Sequence, residues 1–149
     1  MNIALLIESF GALGGAERQA TMLAGSLATA GHNVRVFASS VRGEVAGVEA
    51  TALGTSDHQG FAKAAKRAVA GQRFDVIHSF ARTVSQDILR LGGGVHAEYL
   101  RRMEPARSRI GRWFSRLNPK ERGILALEQA SFAPEATRII QAVSARVRA

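Results

Sequence analysis

The chain has no cysteine. That excludes a disulfide framework, a thiolate metal site and a cysteine nucleophile, and it fits a reducing compartment. Aromatic residues make up only 6% of the sequence, with a single tryptophan. So sparse a set offers little for base stacking, and no RNA- or DNA-binding module is recognisable, so nucleic acid is not an expected partner. No apolar run approaches the roughly eighteen residues of a membrane span. The N-terminal run Ile3 to Ile7 meets Glu8 at once and follows no basic residue, unlike a signal peptide, which leaves a cytoplasmic protein as the expectation. Base outnumbers acid clearly in one half only: residues 1–75 carry 7 basic and 6 acidic groups, whereas residues 76–149 carry 13 and 6. The net charge of +8 therefore comes mainly from the second half, which points to an anionic partner or to a solvated basic face.

What remains is the composition of one globular domain, 149 residues with 46% apolar side chains and no repeat or low-complexity tract. Asn2 to Glu8 is nearly all apolar and bounded by Gly11, Gly14 and Gly15, as suits a parallel strand buried on both faces. Ala16 to Ala30 carries Ala20, Leu23, Ala24 and Leu27 at helical spacing, with Gly31 placed as a helix stop. Strands are expected at Asn33 to Ala38, Val48 to Leu53, Phe74 to Phe80, Ile88 to Leu91 and Thr137 to Val143. Helices are expected at Phe61 to Ala70 and in segments up to about Phe132. This alternation predicts an α/β fold, a doubly wound, mostly parallel Rossmann-like sheet with helices on both faces. Ligands of such a sheet bind at the C-terminal strand ends.

Three loops lie at such ends, and an amphipathic segment further along the chain is a fourth candidate. The turn Gly11 to Arg18 offers bare backbone and a helix N-terminus to a phosphate or sugar, or is a plain strand-to-helix turn. It is not a dinucleotide fingerprint, because the spacing G-x-G-x-x-G is absent and the second strand ends in Ser39 and Ser40 without a carboxylate for a ribose. Nor is there a Walker A pattern. Glu17 suits compensation of the helix dipole. His78 and Ser79 close the fourth strand, whereas His32 and His58 read as surface residues. The run Gly92-Gly93-Gly94-Val95-His96 follows the fifth strand. Lastly, Ile110, Trp113, Phe114 and Leu117 share one helical face, with Arg109, Arg112 and Arg116 on another and Arg101, Arg102, Arg107, Lys120 and Arg122 extending the charge. This pattern describes either an interfacial membrane helix or a helix packed on its own sheet.

The opening NIALLIE, then GGAER, a long helix and GHNVRVFA, together with FDVIHSF, ILRLGGGVHAEYL and TRIIQAVSARVRA, resembles glycosyltransferase family 4 from Met1 to Ala149. Within that family the similarity is greatest to lipopolysaccharide core glucosyltransferases. The resemblance implies the N-terminal, acceptor-side half of a GT-B fold, occupying 1–149, with the C-terminal donor-binding domain and its paired glutamates not encoded here. It implies a retaining transfer from a nucleotide sugar such as UDP-glucose to an anionic glycolipid at the inner-membrane surface, needing no metal or other cofactor; the absence of a D-x-D signature agrees. Gly14, Gly15 and Arg18 would lie near the donor diphosphate and acceptor, and His78, Ser79, Gly93 and Gly94 would border the same cleft. His96 would take the catalytic or acceptor-facing position, where an imidazole can polarise a hydroxyl, or would cap the next helix. Relatives often carry an aspartate where Gly93 and Gly94 stand. The competing readings are a basic membrane-surface or interaction module without catalysis and, disfavoured by the glycine spacing, a nucleotide-binding oxidoreductase domain.

Overall fold

The computed structural model describes residues 1–11, 14–92, 95, 98 and 119–143. Six strands run in one parallel sheet: β1 (Asn2–Phe10), β2 (Asn33–Val41), β3 (Val48–Ala52), β4 (Val76–Ser79), β5 (Ile88–Leu91) and β6 (Ile139–Ala142). Helices α1 (Gly15–Thr29), α2 (His58–Val69) and α3 (Pro119–Ser131) alternate with them. The spatial order is β3-β2-β1-β4-β5-β6. The doubly wound α/β reading holds, and the switch point, where successive strands begin to add on the opposite side, lies between β1 and β4.

The alternation of side chains along β1 explains how both faces are covered. Ile3, Leu5 and Ile7 point to one face and pack with Ala20 and Ala24 of α1 and with Val34, Val36 and Ala38 of β2. Ala4 and Leu6 point to the other, where Phe61, Ala65 and Val69 of α2 meet Phe37. Small residues on α1 bring that helix close to the sheet, while the ring of Phe61 fills the wider space on the α2 side. α3 lies beside α2, with Gly123 facing the end of the Gln59 side chain.

The helix ends follow the residues that terminate them. Gly31, at φ +83, takes the left-handed conformation just past α1, which a residue with a Cβ rarely adopts. Asp57 caps α2, its Oδ1 accepting from the Gly60 N–H at 2.8 Å, which starts that helix three residues before the Phe61 of the sequence pattern. Expected strand boundaries move by a few residues, β2 running on to Val41 and β4 starting only at Val76.

Sheet and turns on the β5–β6 side are joined mainly by polar bonds. Gln86 Nε2 donates to Thr137 Oγ1 at 2.7 Å, Thr137 Oγ1 donates to the Ser131 carbonyl at 2.6 Å, and the Thr83 hydroxyl donates to Gln86 Oε1 at 2.7 Å. Asp87 accepts from the Ile77 N–H through its carboxylate at 2.9 Å and from the Ile139 N–H through its carbonyl at 2.9 Å, tying β4, β5 and β6 together.

The glycines after β1 differ in kind. Gly11 sits at φ +77, and a Cβ on it would collide with the Arg42 backbone carbonyl, so it is fixed by the close approach of the β1 and β2 ends. Gly15 opens α1 with nothing among the described residues within 4 Å of a would-be Cβ. Gly11→Ala is therefore expected to destabilise the fold by at least ~1 kcal/mol in urea unfolding, whereas Gly15→Ala leaves the midpoint unchanged or raises it slightly, alanine being the better helix former.

Candidate functional site

A cleft of about 540 Å³ opens at the switch point, within the size range of small-ligand sites. Ile7 and Glu8 at the end of β1, Gly15 to Glu17 and Gln19 of α1, Phe80 to Arg82 after β4, and Leu89 to Gly92 at the end of β5 line it, with His58 and Val143 at its margins. Chain order alone places it here: the connections leaving β1 and β4 turn to opposite sides of the sheet and leave a crevice between them.

One wall is the N-terminus of α1. Gly14 is its extended N-cap, and the first intrahelical bond runs from the Arg18 N–H to the Gly14 carbonyl at 2.9 Å. The N–H groups of Gly15, Ala16 and Glu17 precede that bond and have no helical acceptor. Glu17 lies in this first turn with its carboxylate against Gly14, the dipole-compensating place its sequence position suggests. Arg18 is exposed and is not on the cleft wall.

The opposite wall is built by β4 and β5. The ring of Phe80 carries the guanidinium of Arg90, whose Cζ stands 5.3 Å from the ring centroid, and stacks on the imidazole of His78 at 4.7 Å. Arg90 also reaches across to α1 and donates to the Gln19 side-chain carbonyl. Burial lowers the pKa of Arg90. Burial, and then the nearby charge of Arg90, lower that of His78, so its imidazole is neutral at pH 7; its Nε2 is buried without a hydrogen-bond partner among the described residues.

Two side-chain contacts frame the rim. His58 Nδ1 bonds Glu8 Oε1, and Arg82 Nε lies 3.2 Å from Oε1 of the buried Glu128, fixing the β4 loop to α3. Among the described residues no three His, Asp or Glu side chains converge as metal ligands would.

Of the residues singled out in the sequence, the structure places Gly15 on the cleft wall, Gly14 next to it as the N-cap of α1, and His78 behind a residue of the opposite wall. Ser79 is fully buried and spends its hydroxyl within the β4 loop, donating to the Ala81 carbonyl at 2.8 Å and meeting the Thr83 hydroxyl at 2.8 Å; it does not line the cleft. Gly93, Gly94 and His96, and the segment carrying Arg109, Arg112, Trp113, Phe114 and Arg116, lie outside the described residues. Sequence reasoning passed over Glu8, Gln19, Phe80, Arg82 and Arg90, and took His58 for an ordinary surface residue. The Glu8–His58 pair spans 50 positions and the Arg90–Gln19 bond 71, so no local pattern announces either.

The His78 shift has a definite consequence for acid stability. The unfolded imidazole takes up a proton near pH 6.5, whereas the folded one, its pKa lowered, does so only at lower pH. The stabilisation is present above pH ~6.5 and lost as pH falls through the folded pKa. Melting temperature is therefore expected to fall between pH 7.5 and 5, and His78→Phe is expected to flatten that profile, as measured by circular dichroism.

No curated protein sequence matches the chain. Among solved structures, the fold is similar to that of WaaG, a glycosyltransferase involved in lipopolysaccharide biosynthesis, with a TM-score of 0.75 and 19% identity over 92% of this chain. The likeness identifies the sheet and its helices as a Rossmann-like unit of a GT-B fold. The chain spans 37% of the length of WaaG. The model of Glycosyltransferase Family 4 matches residues 13–149, nearly the whole sequence, and the chain belongs to that family.

Proposed function

We propose that this chain is the acceptor-side half of a retaining, metal-independent GT-B enzyme that transfers a hexosyl group from a nucleotide sugar such as UDP-glucose to a lipid-linked core oligosaccharide. In this reading turnover needs a donor-binding half together with these residues. The observation that carries this reading is the cleft at the switch point, in which open helix N–H groups face a wall bearing an arginine, in a chain of this family. Such N–H groups suit the phosphates of a nucleotide sugar or of an anionic acceptor. In this reading Gly14 and Gly15 border the donor diphosphate, Gly93 and Gly94 let the acceptor approach, and His96 polarises the acceptor hydroxyl as a general base. The segment with Arg109, Arg112, Trp113, Phe114 and Arg116 rests on the cytoplasmic face of the inner membrane, arginines on headgroups and rings at the acyl boundary. No helix among the described residues is long and apolar enough to cross a membrane.

A second reading, a membrane-surface module without catalysis, rests on the excess of 13 basic over 6 acidic groups in residues 76–149. The oxidoreductase reading finds no support at the end of β2, where Ser39 bonds the Thr55 hydroxyl at 2.6 Å and Ser40 meets Ser9 at 3.4 Å in place of a ribose-binding carboxylate.

Joining the chain to a C-terminal half from the same family and following UDP release from UDP-glucose with a lipid-linked acceptor tests the first reading. Turnover is expected only with both halves, and His96→Ala is expected to reduce it at least ~100-fold. Absence of both UDP-sugar binding and turnover in a folded two-domain protein would sink it. Sedimentation with anionic vesicles separates the second reading: Trp113→Ala and loss of the arginines are expected to abolish binding, Gly15→Ala and His96→Ala to leave it unchanged.

A further inference from the structure

Among the described residues, the acidic and arginine side chains lining the cleft other than Arg90 each have a polar partner or a helix end beside them. Glu8 is bonded to His58, Arg82 is paired with Glu128 at 3.2 Å, and Glu17 sits at the positive end of α1. Arg90 has no carboxylate partner among the described residues; its side-chain contacts there are the neutral amide of Gln19 and the face of Phe80. A partly buried guanidinium without a counter-charge is costly unless an anion completes it. Its surroundings hold it ready for one. Phe80 supports the plane of the group and Gln19 takes a single donor, which leaves most of the N–H fork unused. Gly92 makes room for it, since a Cβ there would stand 3.3 Å from Nη1. The nearest ring on the same support, His78, is neutral and adds no competing cation. Facing this fork across the cleft are the open N–H groups of Gly15, Ala16 and Glu17.

We propose that Arg90 binds a phosphoryl group of the substrate, forking onto two of its oxygens, and so selects phosphorylated over neutral sugar ligands in this cleft. The inference rests on the cleft being the sugar-transfer site proposed above, and it adds the residue that reads the charge of the ligand. Phosphoryl oxygens match the planar fork in spacing and charge, which a lysine ammonium does not reproduce. The phosphoryl group has two possible sources, the diphosphate of the donor and a phosphate ester on the acceptor.

Calorimetric titration of the chain with pyrophosphate, UDP, glucose 6-phosphate and glucose, with backbone amide shifts recorded in parallel, tests the proposal. The unaltered chain is expected to bind phosphorylated probes more tightly than glucose, with shifts centred on Gly15, Ala16 and Arg90. Arg90→Gln is expected to weaken the phosphorylated probes about tenfold or more, with glucose binding and melting temperature unchanged. Arg90→Lys recovers part of the loss, and Gly92→Ala, which crowds Nη1, produces a smaller one. A loss confined to UDP and pyrophosphate assigns the group to the donor; one that includes glucose 6-phosphate assigns it to the acceptor. Absence of phosphate binding in the unaltered chain, undiminished binding in Arg90→Gln, or shifts outside the cleft overturns the proposal. Because these titrations need no turnover, a two-domain protein that fails to transfer sugar while the Arg90 effect persists refutes the transferase reading and leaves the phosphate site standing.

Discussion

The burial of β1 on both faces is the constraint from which the rest of the molecule follows. Leu5 and Leu6 are successive residues, point in opposite directions and are both 0% exposed. One helix is needed for each, so α1 and α2 must lie on opposite sides of the sheet. A strand enclosed in this way has no polar face to offer, and its capacity for chemistry is displaced to its C-terminal end. There Glu8 interrupts the apolar run and bonds His58, the first residue of α2. The cleft is thus the place where the hydrophobic enclosure of the central strand is first broken.

Much of this architecture was legible in the sequence because its signals are local. The apolar run of β1, the helical spacing of Ala20, Leu23, Ala24 and Leu27, and Gly31 as a stop each require only a few neighbouring residues to be recognised. The same holds for the loop that begins the cleft, although its glycines have different tasks: Gly11 is held by the Arg42 carbonyl, whereas Gly15 stands free. Sequence shows a glycine at each place and not the φ angle or the neighbour that distinguishes them.

The cleft walls were less legible for a reason of the same kind. Arg90 reads as one basic residue in a short strand and Gln19 as a polar residue on a helix, and only the order of the sheet, which sets β5 two strands from β1, places them in contact. Ser79 shows the converse. Its position at a strand end matched that of a binding residue, but the sharp turn after β4 consumes its hydroxyl, which bonds both the Ala81 backbone and Thr83. A strand-end position is necessary for such a role and does not establish it, since loops also need polar groups to satisfy their own backbone.

The two walls are held by different physics, and this bears on how a ligand would be positioned. The α1 wall belongs to the apolar core shared with β1 and β2, whose stabilisation is large and largely non-directional. On the other side, buried apolar residues give way to Thr83, Gln86, Glu128, Ser131 and Thr137, and β6 at the sheet edge leaves Ile139 and Ile140 half exposed. There the geometry depends on directional bonds, each worth about 0.5–1.5 kcal/mol net and each costly to leave unmade once buried. Arg82–Glu128 and Gln86–Thr137 both act within that network, and Phe80, the support of Arg90, is only two residues from Arg82. Hydrophobic enclosure sets where the helix N-terminus stands, while hydrogen-bond geometry sets the aim of the guanidinium. Angular precision is required on the second wall, because a planar fork engages two oxygens only within a narrow range of orientations, whereas open N–H groups at a helix start tolerate a broad one.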